Sequence, residues 1–147
     1  MIKICFVCTG NTCRSVMAER LAKKELKSSG SKNIKLSSRG LAANGENITE
    51  NAKLALKALG ASSANRKSVK LGKLDSSTLY VAMTARHAEE LLRRQAGVKV
   101  ITFSSLIGSD IPDPYGQDLE TYKFTAKQLQ LGVKALLNKI SQMESKI

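Results

Sequence analysis

With 147 residues, 42% of them hydrophobic and 24% charged, the chain has the length and composition of one folded domain with its own core. It contains no run approaching the ~20 apolar residues of a membrane helix, so no membrane partner is expected. The net charge of +12 is lopsided, with fifteen Lys/Arg against four Asp/Glu in residues 1–73 and nine against eight in residues 74–147. Such a field attracts anions. Nucleic acid is not the expected one, because the basic half holds a single aromatic, Phe6, inside an apolar segment, and so offers no stacking platform.

In chain order, Ile2, Ile4, Cys5, Phe6 and Val7 form a near-continuous apolar run, predicted as a parallel strand covered on both faces. No small-residue cleavage site follows it, so it does not read as a secretory leader, and residues 1–147 read as a single cytoplasmic domain. Cys8 to Arg14 reads as a loop. From Ser15, a fitting N-cap, the positions Met17, Ala18, Leu21, Ala22 and Leu26 recur at helical spacing until Ser28-Ser29-Gly30-Ser31 breaks the pattern. Ile34, Leu36 and Ser38 alternate with Lys35 and Ser37 as a half-buried strand ended by Gly40. Thr49 or Asn47 starts a helix through Leu54, Leu56 and Leu59, with Gly60 at the C′ position. Leu79 to Met83 is predicted as a strand, Ala85 to Gln95 as a helix and Val98 to Phe103 as another strand. A loop with Pro112 and Pro114 then leads to a long amphipathic helix from Asp118 to Ile140. Strands alternating with helices define an α/β fold with a parallel sheet. Such sheets bind ligands at the carboxyl ends of their strands, beside a topological switch point, and Cys8 falls there.

The three cysteines, Cys5, Cys8 and Cys13, crowd one end of the chain in odd number, unlike a disulfide framework. Cys5 and Cys8 spell C-x-x-C, but Cys5 lies inside the predicted strand, where a small buried apolar residue is the better reading. A zinc site would need further ligands, and the one histidine, His87, is far away in sequence. No metal is expected.

What the loop C-T-G-N-T-C-R-S offers is an anion site. A short turn feeding a helix N-terminus aims backbone N–H groups at one spot, which suits a phosphate. Gly10 is expected to let the backbone curl, and Arg14 brings a planar fork for two phosphate oxygens. Cys8, facing the same amides and the helix dipole, is expected as a thiolate nucleophile, with Ser15 donating a hydrogen bond to it. No G-x-x-x-x-G-K-[ST] occurs, so this is not a nucleotide P-loop. Asp113, between Pro112 and Pro114, is the candidate general acid, and Tyr115 is placed to wall the pocket. Asp110 is read as a turn-forming carboxylate, and His87, at a helix start, as non-catalytic.

These residues carry a resemblance. F-V-C-T-G-N-T-C-R-S near the N-terminus, D-P-Y at Asp113–Tyr115, S-x-G at Ser38–Gly40, A-M-T at Ala82–Thr84 and Tyr122 resemble the low-molecular-weight protein tyrosine phosphatase family. The match runs along essentially the whole chain. It implies a four-stranded parallel sheet flanked by helices and a phosphocysteine intermediate on Cys8. It also implies that Asp113 protonates the leaving group and then activates water, with no metal or other cofactor. Substrates would be phosphorylated proteins, bound through Thr9, Gly10, Asn11, Thr12, Cys13, Ser15 and Tyr115, and inorganic phosphate would be released. The resemblance further implies a reversible Cys8–Cys13 disulfide under oxidation.

Within the family, Thr12 and the D-P-Y-G acid loop resemble the bacterial protein-arginine phosphatases, because the Thr12 hydroxyl makes the pocket floor polar and Gly116 removes a wall that would clasp a phenol ring. A tyrosine phosphatase and a non-catalytic phosphate-binding module are the alternatives. The arsenate-reductase branch needs cysteines further downstream, and none follows Cys13. Val16 departs from the family's usual proline, and Arg39 from a common alanine, where it is expected to add positive charge near the site.

Overall fold

A computed structural model describes residues 1–31, 33–63 and 65–145. Four strands, β1 (Ile2–Cys8), β2 (Ile34–Gly40), β3 (Thr78–Ala82) and β4 (Lys99–Thr102), form one sheet in the order β2-β1-β3-β4, and every pairing is parallel. Five helices alternate with them: α1 (Arg14–Ser29), α2 (Glu50–Ala58), α3 (Ala85–Arg94), α4 (Phe103–Ile107) and α5 (Leu119–Ser145).

The apolar run of β1 explains its central place. Ile4, Phe6 and Cys8 point into the larger core under α1, α2 and α5, while Cys5 and Val7 point into the smaller one with Leu91 of α3. A strand buried on both faces has no polar side to spare. The chain leaves β1 towards β2 on one side and returns to β3 on the other. The carboxyl end of β1 is therefore the switch point of the sheet, and Cys8 is its last residue. Cys5 and Cys8 face opposite sides of the sheet, which rules out a C-x-x-C pairing. Burial pushes the Cys5 thiol above its ordinary range.

Most boundaries lie within a residue of the sequence reading, β3 running Thr78–Ala82 rather than Leu79–Met83, and three differences bear on the site or the packing. α1 begins at Arg14, with Cys13 at the cap position and no side-chain cap, so Ser15 is not the N-cap. The Ser15 hydroxyl is instead bonded to Cys8 Sγ. The last strand stops at Thr102, whose side chain accepts the Ser105 N–H and opens α4, so Phe103 is a helix residue. Five residues are too few to show a helical period in sequence. α5 runs to Ser145 rather than ending at Ile140. The second helix does follow Thr49, and Gly60 takes the left-handed conformation (φ 74°) just beyond its end.

Candidate active site

The loop after β1 closes on itself around the sulfur. Cys8 is 2% exposed, and its Sγ lies 2.9 Å from Ser15 Oγ and accepts the Asn11 N–H at 3.3 Å. Asn11 is the hinge of the turn. It is fully buried, and it alone among the described non-glycine residues has a positive φ, 55°. Asparagine tolerates that region better than most residues. Its side chain is fixed at both ends. Oδ1 accepts from Arg66 Nη1 at 3.0 Å and from the Val69 N–H at 2.9 Å. Nδ2 donates to Ser15 Oγ at 2.7 Å and to Ser38 Oγ at 3.0 Å.

These bonds set a direction. Because Ser15 Oγ receives a hydrogen from Asn11, its own hydrogen is free for Cys8 Sγ, and the thiolate is the form that accepts it best. Ser38 Oγ likewise receives from Arg66 Nη2 at 2.6 Å and donates to Glu19 Oε1 at 2.5 Å. Burial would raise the Glu19 carboxyl. Hydrogen bonds from Lys23 and Ser38 and the charges of Lys23 and Arg66 outweigh it and hold the group below its usual range.

The expectation that Gly10 supplies the turn is corrected. Its φ is not positive, and a Cβ there would meet only Thr12 Oγ1 at an ordinary 3.6 Å. The glycine crowded against the loop is Gly40, at the end of β2 beside Cys8. A Cβ there would stand 2.7 Å from Thr9 O and 2.9 Å from Asn11 N. Arg39 also departs from expectation. It pairs in register with Val7, on the face opposite Cys8, and donates to Ser38 O at 2.6 Å. Arg66 is the cation behind the loop.

The backbone N–H groups of Gly10, Thr12 and Cys13 have no hydrogen-bond partner among the described residues. They meet the uncapped first turn of α1 at a cavity of about 280 Å³. Thr9, Asn11, Arg14, Glu46, Asn47, Thr49, Asp113 and Tyr115 complete its lining. The Arg14 guanidinium is buried. Nη1 donates to Ile111 O at 3.0 Å, and Nη2 lies 3.7 Å from Asp113 Oδ2. Asp113 Oδ1 accepts the Tyr115 N–H at 3.1 Å, leaving its side chain about half exposed (53%) at the pocket mouth. Tyr115 is 67% exposed and flanks it. Asp110 turns away to accept the Ala85 N–H at 3.3 Å, a structural duty. Ser15 lies behind the sulfur rather than in the cavity lining.

Cys13 points elsewhere. Its Sγ lies 3.3 Å from Tyr122 Oη and 3.4 Å from Thr49 Oγ1, and burial together with Cys13 pushes the Tyr122 hydroxyl up to about 12. All three cysteines are free thiols. Among the described residues no cluster of three His, Cys, Asp or Glu is arranged to hold a metal.

His87, third residue of α3, supports the loop from its far side. Nδ1 pairs with Thr84 Oγ1 at 2.8 Å, and Nε2 with Thr9 Oγ1 at 2.9 Å. Since Thr84 Oγ1 accepts the His87 backbone N–H, its hydrogen goes to Nδ1, and Nε2–H donates to Thr9. Burial first, then the charge of Arg14, pushes the imidazole down to about 4 from its ordinary 6.5. The folded state therefore binds its proton more weakly than the unfolded chain, so this contribution to stability is complete above pH 6.5 and lost as pH falls towards 4. Urea midpoints should drop between pH 7 and 5, and less steeply in His87→Asn. Equal slopes in the two proteins would remove His87 as the cause.

A thiol under a directed hydroxyl, a ring of unpaired amides, a buried guanidinium and a carboxylate at the mouth make up the equipment of a cysteine-dependent phosphatase. The family model described as low molecular weight phosphotyrosine protein phosphatase matches residues 3–146, and the chain belongs to that family. A protein-arginine-phosphatase of Geobacillus stearothermophilus is 34% identical over 94% of this chain and 95% of its own. The low molecular weight protein-tyrosine-phosphatase PtpB of Staphylococcus haemolyticus is 33% identical over 87% of this chain and 92% of its own. A solved YwlE arginine phosphatase mutant with a phosphorylated active-site serine superposes with a TM-score of 0.85, at 31% identity, covering 95% of this chain and 96% of that one.

Proposed function

We propose that the chain hydrolyses phosphorylated protein side chains, phosphoarginine in preference to phosphotyrosine, through a covalent phosphocysteine. The observation that carries this reading is the cradle itself: Cys8 Sγ under the Ser15 hydroxyl and the Asn11 amide, with Arg14 and Asp113 in front of it. Arg14 and the loop amides grip the phosphoryl oxygens while the Cys8 thiolate attacks phosphorus. As the phosphorus–leaving-group bond breaks, Asp113 gives its proton to the departing nitrogen or oxygen. The Asp113 carboxylate then takes a proton from water, whose oxygen attacks phosphorus. The phosphorus–sulfur bond breaks, inorganic phosphate leaves and the thiolate returns to the Ser15 hydroxyl. The free cysteines support a reducing compartment, the cytoplasm, as the place of action. The Cys8–Cys13 disulfide implied by the resemblance would require Cys13 to give up Tyr122 and Thr49.

The arginine preference rests on Thr12. Its hydroxyl lines the cavity with only a weak 3.7 Å contact to Cys13 Sγ, so it is available to a polar, planar phosphoguanidinium. Discrimination built on such a bond is large, because the wrong partner leaves a polar group unpaired. The test is kcat/KM for matched phosphoarginine and phosphotyrosine peptides. Thr12→Ile should lower the first, raise the second and shift their ratio at least about tenfold, ~1.4 kcal/mol. Parallel changes would leave the tyrosine reading as the better one.

Asp113→Asn separates the acid from the cradle. Its loss should be greatest, on the order of 10²–10⁴-fold, for poor leaving groups, and smaller for activated aryl phosphates that need less protonation. A loss independent of leaving-group pKa would disqualify Asp113.

A further inference from the structure

The mouth of the cavity is charged against the grain of the molecule. The chain has 24 Lys/Arg and 12 Asp/Glu, yet the charged residues around the cavity are one cation, Arg14, and two carboxylates, Asp113 and Glu46. Arg14 lies buried at the inner end, where phosphate binds. Both carboxylates are exposed and form the rim.

Asp113 already has a partner in Arg14 and work in the reaction. Glu46 has neither. It lines the cavity from the stretch between β2 and α2, and its carboxylate is anchored. Oε1 accepts the Asn44 N–H at 2.7 Å and Ser68 Oγ–H at 3.2 Å, while the Glu46 N–H donates to Ser68 Oγ at 2.9 Å. Ser68 is itself buried and tied back by its own N–H to Glu46 O at 2.7 Å. The Asn44 amide, foremost, holds the Glu46 carboxyl below its usual range, so it is ionised at neutral pH. Its Oε2 has no partner among the described residues, and no cation there pairs with it. Even Lys67, whose backbone bridges to the adjacent Asn47, forms no ion pair with Glu46. A fixed, unpaired negative charge beside a phosphate cradle repels acidic neighbours of a bound phosphoryl group and attracts basic ones.

We propose that Glu46 is a specificity-determining residue that favours phosphorylated side chains flanked by Lys or Arg over those flanked by Asp or Glu. This rests on the phosphatase reading and is independent of which side chain carries the phosphate. The positive field of the whole molecule works in the opposite direction, but it is common to all variants, so comparison between variants isolates Glu46.

The experiment uses two phosphopeptides that differ only in Lys or Glu beside the phosphorylated residue. The ratio of their kcat/KM values is measured for the wild type, Glu46→Gln, Glu46→Lys and Ser68→Ala at low and high salt. Glu46→Gln should reduce the Lys-over-Glu ratio about threefold, the size of one exposed ion pair, and Glu46→Lys about tenfold. Ser68→Ala keeps the charge but loosens it and should fall between the wild type and Glu46→Gln. All differences should shrink at high salt. A ratio unmoved by Glu46→Gln and Glu46→Lys overturns the proposal. p-Nitrophenyl phosphate has no flanking residues and reports the chemistry alone. If the wild type fails to hydrolyse it, the phosphatase reading falls, and binding of the same two peptides to the Cys8→Ser protein still decides the charge preference.

Discussion

Cys8→Ser should fold, bind phosphorylated substrates and fail to turn them over, with a loss on the order of 10⁴–10⁶-fold in kcat. The site is arranged around the Cys8 sulfur. The Ser15 hydrogen and the Asn11 amide both point at Sγ, and Cys8 is buried where β1 meets α1. A hydroxyl holds its proton far more tightly than a thiol and attacks phosphorus poorly. The smaller oxygen leaves the surrounding hydrogen bonds their partners, so melting behaviour should change little. The decisive measurement is steady-state turnover with chelator present. Retention of wild-type turnover would remove Cys8 from the mechanism.

Gly40→Ala should damage both stability and rate although Gly40 is not among the residues that line the cavity. The added methyl would lie 2.7 Å from Thr9 O, 2.9 Å from Asn11 N and 2.9 Å from Gly10 C, all backbone atoms of the reaction loop. Backbone cannot swing aside as a long side chain does. Gly40 is also held in place: its N–H donates to Val69 O, its carbonyl accepts from Leu71, and it pairs in register with Cys8. The methyl must push the loop, at a cost of about 1–3 kcal/mol in stability. Displacement of catalytic atoms by even ~1 Å costs on the order of 10²-fold in rate. Thermal melts and kcat/KM on one preparation check both effects. Wild-type kinetics in Gly40→Ala would mean that the loop yields without harm.

How much of this was legible in the sequence follows from distance along the chain. Cys8, Arg14 and Ser15 stand within one strand–loop–helix, so their chemistry and local structure could be read together. The parallel sheet was legible for a similar reason, since apolar runs and helical periods alternate over well-formed segments. The support of the loop was not. Arg66 reaches Asn11, Glu19 and Ser38 from an irregular stretch that has no period to read, and a lone arginine there looks like one more solvated charge. Two loop residues side by side, Gly10 and Asn11, both fit a tight turn. Composition favours the glycine, and the fold uses the asparagine because four hydrogen bonds repay its left-handed backbone. Arg39 follows the alternation that sets Lys35 and Ser37 opposite Ser38, so nearness to Gly40 along the chain does not bring its side chain to the Cys8 face.

The loop around Cys8 also says when activity can appear during synthesis and folding. Its closing bonds are remote ones: Arg66 to Asn11 spans 55 residues, Val69 to Asn11 58, and Arg14 to Ile111 97. A nascent chain that has emitted only β1, α1 and β2 has the whole signature motif but none of these ties. Loop closure over such separations must be met before any of them rewards it. The cradle is therefore complete only once Arg66, Val69 and Ile111 have reached it. A partly made or partly unfolded chain would carry an exposed cysteine without a competent phosphatase around it, and the cysteine acquires its hydrogen-bonded setting only together with the structure that controls it.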